Sequence, residues 1–419
     1  MLKKMLQGSV IKFASIGFRF ALLLLITNLS GAELYGEYAF LLTVFFIVSL
    51  LSRFGFDLFI QKKISYYNSI GRYAIQYKYF SYAVFICIFS SSFLLILLYI
   101  ISTQFHSNLL NNVTAFFWIV PSYGILMLGV FTLRALGEGM KSMLMFDLLF
   151  PFINMIAILL LVQFHSISLK LLLFSFGSSI LILMLVLMRY LYKHFQSAHM
   201  KGVLNIKILI NRFGIYPLLQ SKNYLYVAIT FILFSYTDII ILKLYTTDFI
   251  IGLYSVDVKI ASLLLIPSSI VLSLYGYEFV QLYKANKLIK LKSLHVKLVK
   301  YLIVTGLILL IILFVFGPYI HSLFGDDFID NDSSIYIILL VAYVIHVPFG
   351  TYETMYLMTG RERLFYKNNM YALLLNICFS LVLGYFYLEI GVAIATLISI
   401  LYLRVFQYVE LKYRNPIYE

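Results

Sequence analysis

Residues 302–316 read LIVTGLILLIILFVF, and residues 171–188 read LLLFSFGSSILILMLVLM. Neither stretch carries a charge, and neither alternates apolar with polar. One crossing of roughly 30 Å of hydrocarbon takes about 20 predominantly apolar residues. In lipid the backbone must satisfy its own hydrogen bonds, which leaves helices or a closed barrel. Barrel strands alternate inward and outward residues over short segments; these runs are long and apolar on every side, so they read as spanning helices. The rest of the chain agrees. Of 419 residues, 62% are hydrophobic and only 12% charged, where a soluble domain carries about a quarter charged. The expected fold class is all-α: a polytopic membrane protein.

Working outward from those two runs, spans are expected near residues 10–30, 38–60, 79–102, 115–136, 146–163, 170–190, 217–243, 249–275, 299–318, 334–357, 369–388 and 391–410. Lys3 and Lys4 precede the first apolar stretch without a small-residue cleavage site, so that stretch reads as a retained span rather than a leader. No separate soluble domain is expected. The net charge of +14 sits in the loops, where it orients the protein and attracts anionic lipid rather than nucleic acid. One set of connections carries Lys62, Lys63, Arg72, Lys78, Arg134, Lys141, Arg189, Lys193, Lys201, Lys207, Arg212 and Lys222, and then the lysines from Lys284 to Lys300 with Arg361, Arg363 and Lys367. The opposite set holds Glu33, Glu37, Asp326, Asp327, Asp330, Asp332 and Glu389, with Lys170 as the main exception. Positive loops stay inside, so both termini are expected in the cytoplasm.

The longest cytoplasmic connection, about 191–216, divides the spans six and six, giving lobes over 1–200 and 201–419. An internal echo supports the division. Tyr35-Gly36-Glu37-Tyr38 follows the first span, and Ile251-Gly252-Leu253-Tyr254 follows the seventh. Two six-span halves of equal orientation are related by an axis along the membrane normal.

No HExxH, GxSxG, Walker A or paired CxxC motif is present, and the seven histidines are scattered. Cys87 and Cys378 fall in separate halves, inside spans, and read as small apolar fillers rather than a disulfide. The aromatic excess, 35 Tyr and 38 Phe, is spread over the whole chain and marks no site. The informative residues are charges inside spans, which are costly unless they face a cavity or a partner. Arg19 lies near the middle of the first span. Arg53 and Asp57, four apart in the second, share a helix face; the plain alternative is a structural ion pair. Asp238 is in the outer part of the seventh span. Asp257 and Lys259 lie in the eighth, two residues apart, and point to roughly opposite faces. Asp147, Glu278 and Arg404 sit nearer the interface and read as unremarkable, and Glu353 follows an expected kink at Pro348. If their spans line one cavity, Arg19, Arg53 and Lys259 make it positive, and guanidinium groups bind phosphate through paired hydrogen bonds.

These segments resemble the polysaccharide flippases of the multidrug/oligosaccharidyl-lipid/polysaccharide exporter superfamily, in particular the O-antigen flippases of Wzx type. The resemblance rests on three regions: Thr27–Tyr38 with Arg53-Phe54-Gly55-Phe56-Asp57; Tyr236-Thr237-Asp238 through Ile251–Ile260; and Asn376 through Gly391–Ser399. It implies two six-helix lobes forming a V around a central cavity. It implies that an undecaprenyl-diphosphate-linked oligosaccharide crosses the bacterial inner membrane by alternating access, for O-antigen or lipopolysaccharide assembly, alongside other polysaccharide-assembly proteins. It places Arg19, Arg53 and Lys259 as substrate-binding residues, and Asp57, Asp238 and Asp257 as coupling or cavity residues. No cofactor is expected beyond coupling to H+ or Na+. The competing readings are a cation-coupled multidrug exporter of the same superfamily and, more distantly, a membrane polysaccharide-modifying enzyme.

Overall fold

The computed structural model describes residues 2–104, 116–197, 214–329, 333–358 and 362–414. The described residues fold into helices α1 (Leu2–Ser52), α2 (Phe56–Ser69), α3 (Tyr73–Gln104), α4 (Phe116–Ala135), α5 (Gly139–Val162) and α6 (Leu169–Ser197). There follow α7 (Tyr216–Tyr245), α8 (Asp248–Ala261), α9 (Ile266–Lys284), α10 (Leu288–Ser322), α11 (Ser333–His346), α12 (Gly350–Met358) and α13 (Glu362–Arg414).

Nine helices among the described residues are long and apolar enough to cross a membrane, and α7, bent by 47° near residue 231, makes a tenth. Two of the nine cover Val10–Ser52 and Leu364–Glu410, 43 and 47 residues. At about 1.5 Å per residue each is roughly twice the hydrocarbon thickness, and each breaks once. Gly31 interrupts α1 with φ 72°, and Leu388 interrupts α13 with φ 51°. The halves of α13 fold back on one another: the Asn376 amide donates to Thr396 Oγ1 and Ser399 Oγ, and the Asn368 amide to Glu410 Oε2. Counting each broken helix as two crossings gives the expected twelve. The chain is a multi-pass, all-α membrane protein.

The run that opened the sequence shows how lipid shapes these helices. Along α10, Leu302, Gly306, Leu313 and Gly317 are buried, while Val304, Ile311, Val315 and most of their neighbours are exposed. A narrow line of small or leucine residues packs inward, and the rest of an apolar helix is left for hydrocarbon.

Two compact units result. One comprises the residues up to Leu29 together with Leu41–Ile232; the other comprises Ser30–Phe40 and the residues from Leu233 onward. The sequence-based division near residue 200 falls outside the described residues, and the units part within α7. Ser30–Phe40 belongs with the second unit for reasons visible atom by atom. The amide of Ala32, the first residue after the Gly31 break, donates to Asp327 Oδ2 at 2.8 Å, so an acid of the loop after α10 caps the restarted helix. Asp330 and Asp332 lie outside the described residues. Lys243 pairs with Asp248 at 2.5 Å and lies over the Phe40 ring. Above all, the two echoed segments meet. A Cβ on Gly36 would overlap the Asp248 carbonyl oxygen and lie 2.7 Å from the Gly252 nitrogen; a Cβ on Gly252 would overlap the Ala32 carbonyl oxygen. Ala32 and Gly36 thus cross Asp248 and Gly252 reciprocally, each pair spaced four residues, at a distance only glycine permits.

In the first unit the aromatic residues form the core. Phe45 packs edge-on against Tyr123 and Phe176, both at 5.2 Å between centroids, and Phe176 packs on Phe150. Such pairs add about 0.5–1.5 kcal/mol beyond their burial, so part of the aromatic excess is core packing. Cys87 is buried and Cys378 exposed, both as free thiols.

Candidate functional site

In the first unit two ion pairs flank one tyrosine. Arg19, on α1, reaches Asp147 with Nη2–Oδ1 at 2.6 Å, and its side chain remains 51% exposed. Asp147 lies in a single π-helical stretch, Leu144–Leu149, inside α5. Such bulges occur often at functional sites because the widened turn re-aims side chains. Lys12, two turns before Arg19, lies in the field of the same carboxylate. Asp147 was expected to be unremarkable; it is the partner of the exposed intramembrane Arg19, a role that helical periodicity within one span cannot reveal.

Arg53 is built differently. It ends α1 in the turn Arg53-Phe54-Gly55, where Phe54 and Gly55 both take positive φ. The expected continuous helix over 38–60 is therefore broken there. The turn packs so tightly on α7 that a Cβ on Gly55 would come 2.5 Å from the Leu225 nitrogen. Arg53 donates Nε to Asp57 at 2.8 Å and Nη1 to Ser49 at 2.7 Å, its guanidinium lies 5.5 Å from the Tyr123 ring centroid, and the residue is buried. The pair at i, i+4 forms as expected, but inside the protein. Tyr123, on α4, sits between the pairs: Arg53 stacks over its ring, and Arg19 and Asp147 act on its hydroxyl through space. Sequence reasoning passed over Tyr123 because one tyrosine among 35 carries no signal.

In the second unit Asp238, on α7, accepts hydrogen bonds at Oδ2 from the Tyr254 hydroxyl and from Thr396 Oγ1, both at 2.9 Å. Asn376 reaches the same Thr396 and Ser399. Asp238 Oδ1, Asn376 Oδ1 and Ser380 Oγ are buried without a hydrogen-bond partner among the described residues. One carboxylate, an amide oxygen and hydroxyls make a set of hard oxygen donors, suited to a small cation or a proton rather than to a transition metal. No cluster of three His, Cys, Asp or Glu occurs among the described residues.

Asp257, on α8, is fully buried and bonded to His321 Nε2 at 2.7 Å, while His321 Nδ1 meets the Gly317 carbonyl at 2.8 Å. Lys259 is exposed on another side of the same helix. Within each unit the structure therefore brings Arg19 to Asp147 and Arg53 to Asp57, and it separates Asp257 from Lys259. The side chain of Glu353 lies outside the described ones. Arg404 is buried and bonds to His346 and Gln407.

No protein-family model matches the sequence, and no curated protein does. Solved structures do match. An inward-facing multidrug resistance MATE family transporter of the MOP superfamily superposes with TM-score 0.68 at 14% identity, covering 97% of this chain and 98% of that one. The fold is that of the MOP-superfamily transporters. The lipid II flippase MurJ, in an inward closed conformation, matches with TM-score 0.64 at 16% identity over 97% of this chain and 87% of its own. A MOP-superfamily transporter from Pyrococcus furiosus, whose binding pocket is described as having reverse polarity, matches with TM-score 0.62 at 13% identity over 98% and 95%. These structural neighbours are transporters and flippases rather than enzymes, and all span the length of this chain.

Proposed function

We propose that this chain is a flippase that moves an undecaprenyl-diphosphate-linked oligosaccharide, an O-antigen or similar repeat unit, across the bacterial inner membrane by alternating access. The observation that carries the reading is Arg19, an arginine in mid-span with half its side chain exposed. An arginine facing lipid at that depth is costly; facing a watery cavity, it offers a planar fork to a diphosphate. Asp147 holds the fork in place and is the group a phosphate would displace. Lys259, exposed on α8, is the other proposed substrate-binding cation. Arg53, committed to Asp57, Ser49 and Tyr123, positions Tyr123 rather than the substrate. The lysine-rich loops put both termini in the cytoplasm.

Asp238 is the proposed coupling residue, for Na+ or H+. Its hydroxyl donors Tyr254 and Thr396, with Asn376 beside Thr396, set oxygen and amide groups around a buried intramembrane acid whose Oδ1 has no hydrogen-bond partner among the described residues. Asp238→Asn is expected to abolish the dependence of transport on an imposed ion gradient in proteoliposomes. Retention of that dependence removes Asp238 from coupling.

The substrate class is tested by gene deletion in the host. Undecaprenyl-linked repeat units are expected to accumulate on the cytoplasmic face while surface glycan falls. Unchanged glycan without accumulation overturns the reading, and normal glycan with increased drug susceptibility establishes the multidrug exporter instead.

A further inference from the structure

The second unit contains a line of buried polar side chains that extends well beyond Asp238. On the second half of α13 they are Thr396, Ser399, Arg404, Gln407 and Glu410, each no more than 7% exposed. Their spacing keeps them on one side of the helix, and fourteen residues span about 21 Å, most of the hydrocarbon thickness. The first half of α13 faces them with Asn368, Ala372, Asn376 and Ser380, four residues apart and all buried. A third wall comes from α11 and α12. Tyr343 lies within the field of Asp238, His346 bonds to Arg404 at 2.7 Å, and the Tyr356 hydroxyl donates to Glu410 at 3.0 Å.

Polar side chains in a membrane interior are kept where they line a functional route. Here three walls keep them along one line. It begins at the Asp238 cluster, passes Arg404 with Gln407 (Nη1–Oε1 2.6 Å), and ends at Glu410 between Tyr356 and Asn368. Gln407 Nε2, like Asn376 Oδ1 and Ser380 Oγ, is a buried polar atom without a hydrogen-bond partner among the described residues, as expected of groups that solvate a passing ion or water. A route of this length would leak the ion it carries. Arg404 lies two helical turns from Thr396, over the Phe349 ring, and sets a fixed positive charge across the line, the device by which selective pores exclude cations.

We infer that this polar line is a gated access route by which a small monovalent cation or a proton reaches Asp238 from the Glu410 end of the unit, with Arg404 and its partner His346 as the gate. The inference rests on Asp238 as the coupling residue. The route is confined to residues of the second unit.

The test uses Ag+, a thiol-reactive cation of the size of the coupling ions, on the full chain with Cys87 and Cys378 replaced by Ser and with Ser399→Cys. Oriented vesicles are exposed to Ag+ from one face, then denatured and labelled with maleimide to count surviving thiols. Cys at 399 is expected to react from the face bearing Glu410, and about tenfold more slowly, or not at all, from the other. Adding Arg404→Gln is expected to speed the reaction about tenfold by removing the barrier charge. Reaction only from the opposite face, or from neither face in either background, overturns the route; an equal rate with and without Arg404 overturns the gate. Where Arg404→Gln fails to fold, His346→Ala, which frees the arginine to move, is read in the same way. Labelling needs no transport, so it can fail while Asp238→Asn still abolishes ion dependence, and it can succeed where that variant does not.

Discussion

Gly252→Ala is expected to lower the thermal unfolding temperature of the purified protein far more than a single methyl group normally does. The added Cβ would overlap the Ala32 carbonyl oxygen, and at Gly36 the equivalent atom would overlap the Asp248 carbonyl oxygen. Ordinary overpacking costs about 1–3 kcal/mol because side chains can rotate aside. Here the obstacle is backbone on both sides, so relief requires α8 and the restarted half of α1 to separate. That separation strains the Ala32–Asp327 cap and the packing of Phe40 under Lys243. The effect is expected to exceed the usual range and to reduce the yield of monodisperse protein in detergent. Gly36→Ala is expected to do the same. The double variant is expected to cost less than the sum of the two, because either methyl opens the same crossing. A parental unfolding temperature for either single variant would show that the echoed segments do not cross as described.

Arg19→Ala is expected to reduce transport to background, while Arg19→Lys keeps part of it. A lysine restores the charge but not the fork that binds a phosphate through two parallel hydrogen bonds, so a loss of about tenfold or more is expected for the conservative change. The pairing with Asp147 adds a sharper expectation. If Asp147 orients Arg19, Asp147→Asn weakens apparent substrate affinity while Arg19 remains; once Arg19 is alanine, changing Asp147 has no further effect. A double-mutant cycle on transport measures that coupling. Alanine at position 19 with parental transport takes Arg19 out of the site. Additive losses would mean that Asp147 acts on something other than Arg19.

The sequence carried the signals that depend on one helix at a time. Apolar runs without alternation dictate helices in lipid, because no other local structure satisfies the backbone there. The separation of lysine-rich from acidic loops gave an even number of crossings. Pro348 gave its break, seen as a turn of 3-10 helix over Val347–Phe349 whose Val347 carbonyl accepts from Ser268 at 2.7 Å. The Gly-x-Tyr echo, weak as a motif among so many glycines and tyrosines, marked two segments that proved to touch.

The intramembrane charges were legible as charges but not as partners. Arg19, Arg53 and Lys259 stood out because each is costly in lipid, yet the cost says nothing of what offsets it. Offsetting groups come from other helices, at separations such as the 128 residues between Arg19 and Asp147 or the 158 between Asp238 and Thr396. No periodicity in one span encodes those distances. So the partners of Asp147 and Arg404 were not foreseen, Tyr123 went unseen, and Arg53, expected to bind substrate, is buried against Asp57, Ser49 and Tyr123. The sequence alone determined that this is an all-helical membrane protein of about twelve crossings, because solvent and backbone set that choice locally. Tertiary structure decided which charges remain open, which are closed off by a partner, and that the polar residues of three spans fall on one line, because each of those facts depends on which helix faces which.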